Sequence, residues 1–274
     1  HLITSKIEHS TVLKTCQALE KEGYEVTYID VTERGVIDLE QLKNAIRNDT
    51  VAISVMYVNN ETGVVQPIDE IAKMIEGKGI VLHTDAIQGV GKEMILPKKQ
   101  GIHALSAAAH KFYGPKGTGF LYLDQNYMIE KEITGGSQER NRRSGTENVH
   151  GIVGMAKALE IVYSDMEEEQ AKEKEMQIYL EEALKEEICN IKINCGNSRR
   201  ISSVVNITLE DCNVQTLMVA LDMEGICVSG GSACMSGAME TSHVLKAMGA
   251  SEEDLKSSIR VSIGRYNTKD EIDI

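Results

Sequence analysis

The six cysteines of this 274-residue chain form no closely spaced pair: Cys16, Cys189, Cys195, Cys212, Cys227 and Cys234 are scattered, and C-x-x-C is absent. That spacing excludes a zinc ribbon and a dense disulfide scaffold, and makes reduced thiols in a cytoplasmic protein the expectation. Positive charge is also short. There are 29 Lys and Arg against 42 Asp and Glu, a net charge of −13. This balance argues against a broad nucleic-acid or membrane-surface footprint. A local cluster of Arg140, Arg142 and Arg143 can still meet a phosphate. No apolar run is long enough to cross a bilayer, no secretory leader is visible, and neither repeats nor low-complexity linkers occur. With 42% hydrophobic residues the chain is not of disordered composition, and its length supports one large domain or two smaller ones. It enters a strand pattern at His1-Leu2-Ile3-Thr4 and stops in what reads as the first turn of a helix, Lys269–Ile274. We therefore expect a piece of a longer protein, cut at both ends.

What is present is a strand-loop-helix rhythm. Residues 2–7, 24–31, 51–58 and 80–84 read as strands, the third a near-continuous apolar run of the kind buried on both faces of a parallel sheet. Helices are expected after Ser10, over 39–47 behind an Asp38 cap, and after Pro67. The alternation predicts α/β architecture with a mostly parallel sheet and helices on both faces. Ligands of such sheets bind beyond the carboxyl ends of the strands. His9, the Asn59-Asn60 loop and Asp85 should therefore share one rim. Strands at 105–108 and 118–123 flank the turn His110-Lys111-Phe112-Tyr113-Gly114-Pro115-Lys116-Gly117. Beyond 147 the pattern changes to long helices over 149–186, with the acidic run 166–169 exposed in the middle. Strands at 204–209, 226–229 and 259–263 and helices at 214–223 and 242–248 follow. This predicts a large domain, 1–147, and a smaller α+β domain, 148–274.

Several stretches carry chemistry. Lys111 lies between the small residues Ala107-Ala108-Ala109 and a Gly/Pro turn, and a lysine so placed can attack a carbonyl if its pKa is lowered; most lysines beside turns are solvated charges. Asp85, at a strand's carboxyl end, can hold a pyridine nitrogen protonated, the position that makes pyridoxal phosphate an electron sink, or it can cap the next segment. Gln88 can donate to a phenolate oxygen, and His9 can stack over a flat ring, or simply begin a helix or pack in the core. Ser229–Ala238 surrounds Cys234 with small residues, as a mobile loop carrying a nucleophilic thiol requires, or as an ordinary tight loop shows. Gly135–Thr146, rich in glycine, hydroxyls and arginine, suits a phosphate, or is a solvated basic loop. Arg260, in a strand among apolar neighbours, calls for a carboxylate partner.

Taken together, E-H-S-x-V-L (8–13), V-N-N-E-T-G (58–63), H-T-D-A-I-Q (83–88), H-K-F-Y-G-P-K-G (110–117), R-R-S-G-T-E-N (142–148), S-G-G-S-A-C (229–234) and S-S-I-R-V-S-I-G-R (257–265) occur in this order. The sequence resembles the cysteine desulfurases of the NifS/IscS type, which are fold-type I, class-V aminotransferase-like pyridoxal-phosphate enzymes. The resemblance implies that Lys111 is the Schiff-base lysine and that His9 stacks on the ring and helps move protons. It implies that Asp85 pairs the pyridine nitrogen and Gln88 the phenolate oxygen, with Asn60 near cofactor and substrate and His110 in the phosphate region. Thr146 would reach the phosphate of a partner subunit's cofactor, hence a homodimer. Arg260 would clamp the carboxylate of L-cysteine, and Cys234 would take its sulfur as a persulfide, releasing alanine. A sulfur-acceptor protein, an iron–sulfur scaffold or a tRNA-thiolation enzyme, would follow. Two departures stand out. Ala108 occupies a position where the family usually has a phosphate-binding serine, and the family's amino-terminal Gly-Ala-Thr-type phosphate cradle has no counterpart here. The fragment alone is thus expected to be inactive or to bind the cofactor poorly. Related readings are a selenocysteine lyase-like enzyme and a non-catalytic sulfur-carrier or docking module.

Overall fold

A computed structural model describes residues 1–231 and 241–274. The first half builds a six-stranded sheet from β1 (Leu2–Ser5), β2 (Val26–Ile29), β3 (Ala52–Ser54), β4 (Val81–Asp85), β5 (Ala104–Ala108) and β6 (Gly119–Leu123), in the order β2-β1-β3-β4-β5-β6. The first five strands pair in parallel and β6 joins β5 antiparallel. Strand order reverses between β1 and β3, which makes that gap the topological switch point of an open α/β sheet.

Each of the first five strands buries a β-branched or leucine residue: Ile3, Ile29, Ile53, Leu82 and Leu105 all enter one continuous core. Helices α1 (Ser10–Lys21), α2 (Leu39–Ala45) and α3 (Ile68–Ile75) supply the crossovers. Asp38 caps α2, accepting from the Gln41 N–H at 2.9 Å, as its position predicts. Pro67 precedes the first residue of α3. Two strands are shorter than expected. β1 ends at Ser5 because the chain turns at Lys6 to bury Ile7 and Glu8. β3 ends at Ser54, but Val55 and Tyr57 still donate to the His83 and Asp85 carbonyls, so the apolar run to Val58 continues the rim without regular ladder geometry.

A 3-10 turn, Ala109–Phe112, links β5 to the Gly/Pro segment before β6. Then come α4 (Gln138–Asn141), α5 (Val149–Ser164) and α6 (Met166–Glu187). The 149–186 pattern is thus two helices meeting at Asp165. The acidic run forms the first turn of α6, where carboxylates suit the helix dipole, and Met166 is buried rather than exposed. Met155, Leu159, Val162 and Tyr163 of α5 pack on the first core.

The second sheet is antiparallel and three-stranded: β7 (Ile191–Asn194), β8 (Val204–Leu209) and β9 (Ser258–Ser262), ordered β7-β8-β9. β7 is additional to the expected strands, and its Ile-Lys-Ile-Asn alternation is only four residues long. The 226–229 segment contributes one bridge, Ser229 to Arg260, rather than a strand. Helices α7 (Val214–Met223), α8 (His243–Ala247), α9 (Glu252–Lys256) and α10 (Lys269–Ile272) complete the described chain. Among the described residues no helix is long and apolar enough to cross a membrane.

Candidate active site

The carboxyl ends of β1, β3 and β4 carry the expected rim residues. After β1, Glu8 is fully buried and His9 caps α1, its Nδ1 accepting from the Thr11 N–H at 3.2 Å and lying 2.9 Å from Thr11 Oγ1. His9 therefore stands at the start of a helix, one of the ordinary alternatives expected for it. The cap also fixes the ring with Nδ1 as acceptor, so the neutral ring carries its proton on Nε2.

After β3, Asn59 organises the loop. Its Oδ1 accepts from Glu61 N (2.9 Å), Thr62 N (3.0 Å) and Thr62 Oγ1 (3.1 Å), and its Nδ2 donates to the Ile7 carbonyl (3.1 Å). The next residue, Asn60, gives its carbonyl to Arg260 Nη1 at 2.8 Å. Residues 200 apart in sequence are thereby joined, and the second sheet docks on the rim of the first. Glu61 strengthens the junction: its carbonyl accepts from Asn206 Nδ2 at 3.1 Å and its carboxylate accepts from Ser242 Oγ.

Asp85 ends β4, almost buried at 7% exposure. Its Oδ1 accepts from the Ile87 N–H at 3.0 Å, so the capping alternative also holds. Oδ2 has no hydrogen bond among the described residues. Two residues back on the same face, His83 joins Ser54 Oγ (Nδ1, 2.8 Å) to Ser106 Oγ (Nε2, 2.9 Å) across three adjacent strands. Burial lowers the His83 pKa, against a smaller opposing pull from Asp85, so the ring is neutral and can donate at one nitrogen and accept at the other. Gln88 lies half-buried in the following turn.

Lys111 sits on the 3-10 turn after β5, the strand paired with β4. It is half-buried and makes no hydrogen bond or ion pair with a described residue, while His110 beside it is exposed. Small residues shape this turn for steric reasons. A Cβ at Gly114 would lie 2.9 Å from Ala109 Cβ, and one at Gly119, opposite Ala108, would lie 2.6 Å from the Ala107 carbonyl oxygen. Ala108 offers no hydroxyl, and that of Ser106 is engaged by His83. Thr146 is exposed, away from this rim's hydrogen-bond network. Cys234 lies outside the described residues, in the stretch between Gly231 and Thr241.

Glu8, Glu61 and Ser242 were not singled out from the sequence. For Glu8 a signal existed: an acidic residue between a strand and a helix cap, inside a quoted motif, is poorly placed to be a surface charge. Glu61 and Ser242 acquire meaning only from a contact across 181 residues.

A buried carboxylate with one open oxygen, an amine on the neighbouring strand's exit turn, and a floor of small residues fit a flat, phosphorylated pyridine. The family model for class-V aminotransferases matches residues 1–274. The chain belongs to that family of fold-type I, pyridoxal-phosphate-dependent enzymes. It is 44% identical over 275 residues to the cysteine desulfurase IscS of Clostridium botulinum strain Hall, covering 100% of this chain and 69% of that protein. It is 42% identical over 272 residues to IscS of Dictyoglomus turgidum, covering 99% and 69%. The solved structure of a NifS-like protein superposes with a TM-score of 0.92 at 35% identity, over 99% of this chain and 72% of that one. The structure of SspA in complex with cysteine gives 0.84 at 35% identity, over 98% and 74%. Within the family, the chain is a cysteine desulfurase.

Proposed function

We propose that the rim formed by His9, Asn60, Asp85, Gln88 and Lys111 holds pyridoxal phosphate and releases sulfur from L-cysteine to Cys234. The observation that carries this reading is Asp85: a nearly buried carboxylate at the end of β4 with an oxygen left open, one strand from the Lys111 turn. The cofactor supplies an electron sink for the bond-breaking at the amino acid.

The chain's residues do the rest. Asp85 keeps the ring nitrogen protonated and Gln88 donates to the ring oxygen. His110 and the partner subunit of a homodimer, through Thr146, complete the phosphate site, which Ala108 leaves one hydroxyl short. Lys111 provides the amine that attaches the cofactor covalently and moves a proton at the substrate α-carbon. His9, its ring fixed by Thr11, stacks on the cofactor and exchanges a proton at Nε2. Arg260, steadied by the Asn60 carbonyl, grips the substrate carboxylate. The Cys234 thiolate attacks the substrate sulfur. The carbon–sulfur electron pair stays with carbon, which takes a proton to give alanine, and the new sulfur–sulfur bond leaves a persulfide on Cys234. The cysteine bound in the SspA structure supports this substrate. The persulfide then passes to a cytoplasmic acceptor protein, an iron–sulfur scaffold or a tRNA-thiolation enzyme. We divide the chain into domains 1–147 and 148–274, with α5 as the connecting helix lying on the first core.

The test is a pair of variants. Lys111→Ala should lose the visible absorbance band that pyridoxal phosphate gives when attached to the parent chain. Cys234→Ser should keep the band and stop sulfur release. Continued sulfur release by Cys234→Ser would refute the thiol assignment.

A further inference from the structure

Two residues past Lys111, Tyr113 adopts a left-handed backbone, φ 64° and ψ 16°. A bulky side chain costs energy there and persists only where its surroundings hold it. What holds it is Arg265, three residues beyond the end of β9 and five beyond Arg260. The Arg265 N–H donates to Tyr113 Oη at 3.1 Å. The Arg265 guanidinium lies 5.3 Å from the centre of the Tyr113 ring and 5.9 Å from that of Tyr266. The two rings meet edge to face at 6.0 Å. The guanidinium also donates to Asp165 Oδ2 at 3.2 Å and pairs with Glu169, at the junction of α5 and α6. Lys172 Nζ on α6 donates to the Arg265 carbonyl at 2.8 Å. Backbone donor, backbone acceptor and side chain of one arginine are thus all committed, and the side chain is only 15% exposed.

We propose that Arg265 is a positioning residue of the active site, a latch that ties the Lys111 turn through Tyr113 to the segment carrying Arg260 and to the α5–α6 junction. Nothing in the proposed chemistry requires Arg265 to touch substrate. Its effect is to fix the Lys111 nitrogen relative to the Arg260 guanidinium, so that an amino acid held by its carboxylate presents its α-carbon to the amine. Misplacing reacting groups by about 1 Å can cost on the order of a hundredfold in rate. The inference rests on the roles given above to Lys111 and Arg260.

The experiment uses the full-length protein loaded with pyridoxal 5′-phosphate, comparing the parent with Arg265→Gln, Arg265→Lys, Tyr113→Phe and Lys111→Ala. Two readouts are normalised to bound cofactor: the pH midpoint of the visible band, and kcat and KM for L-cysteine. Arg265→Gln should move the spectral midpoint and lower kcat by roughly ten- to a hundredfold, with KM changing far less. Arg265→Lys, which keeps the charge for Asp165 and Glu169, should recover part of both. Tyr113→Phe, which removes only the hydroxyl acceptor, should shift both readouts in the same direction by less, and it stands in if Arg265→Gln does not fold. A lowered melting temperature with parental midpoint and kcat would overturn the proposal, because that is what a purely structural residue gives. Lys111→Ala separates the two levels: it should lose the band. If it keeps the band, the site reading itself fails and the latch with it. If it loses the band while the Arg265 and Tyr113 variants match the parent, only the latch fails.

Discussion

Replacing Glu8 by glutamine tests how the rim is built electrostatically. Glu8 is fully buried at the switch point between β1 and β3. Its Oε1 accepts from Ser5 Oγ at 2.6 Å and from Met56 N at 2.9 Å, while Oε2 is buried with no hydrogen-bond partner among the described residues. Burial pushes the carboxyl from an ordinary 4.5 up to about 8; the hydrogen bonds from Ser5 and Met56 oppose the rise and the Asp85 charge adds to it. Burial, and to a lesser degree the Glu8 charge, raises the Cys16 thiol pKa, and His243 on α8 reaches the Glu8 carbonyl. The folded protein therefore holds a proton that the unfolded chain gives up near pH 4.5. Below that pH both states are protonated and the contribution of Glu8 is fully present. As pH rises toward 8 the unfolded state binds fewer protons than the folded one, and stability falls. At about 1.36 kcal/mol per pH unit, the fall is bounded by about 5 kcal/mol. Glu8→Gln keeps the Oε1 acceptor and removes the titration. Its buried amide leaves donors unpaired, costing about 1–3 kcal/mol at acid pH. The assay is urea unfolding of parent and variant from pH 5 to 9. Relative to the variant, the parent should lose stability as pH rises over this range, so the difference between the two curves closes and reverses between about pH 5 and 7. Parallel curves would refute the neutral buried acid.

Three further outcomes follow from the geometry. Asn59→Ala removes the acceptor shared by three donors in a buried loop and should destabilise the fold by about 2–4 kcal/mol, read as a drop in melting temperature; an unchanged melting point would contradict its organising role. Arg260→Gln should raise KM for L-cysteine by roughly ten- to a hundredfold, the worth of a charge-assisted hydrogen bond of about 1.5–3 kcal/mol, measured by alanine formation. Ala108→Ser restores a hydroxyl on the floor of the site and should tighten pyridoxal-phosphate binding by a similar factor, measured by titration of the absorbance band.

The architecture was legible where residues face their own strand or helix. The apolar centres of the first five strands, the Asp38 cap and the shared rim of His9, Asn60 and Asp85 all follow from local pattern and from the parallel-sheet rule. Strand ends were less legible. Val55–Val58 is as apolar as a strand, and only the hydrogen bonds to His83 and Asp85 carbonyls show how it departs from one. The short β7 escaped because four alternating residues match many loops. Asp165 escaped because a break between two helices with continuous apolar faces leaves little trace in composition. The long-range links between Arg260 and Asn60, Ser242 and Glu61, and Arg265 and Tyr113 join positions 150 or more residues apart, where no sequence period operates. The sequence motifs named most of these residues, but not the contacts that make them a site.

On the proposed function, sulfur leaves L-cysteine for one particular thiol, that of Cys234. The most direct measurement loads the full-length protein with pyridoxal 5′-phosphate, adds L-cysteine, and maps every cysteine by peptide mass spectrometry while counting alanine. One additional sulfur atom on the peptide containing Cys234, matched by one alanine, is the predicted result. Alanine formed with the extra sulfur on Cys227 or another cysteine, or no alanine at all, would contradict it.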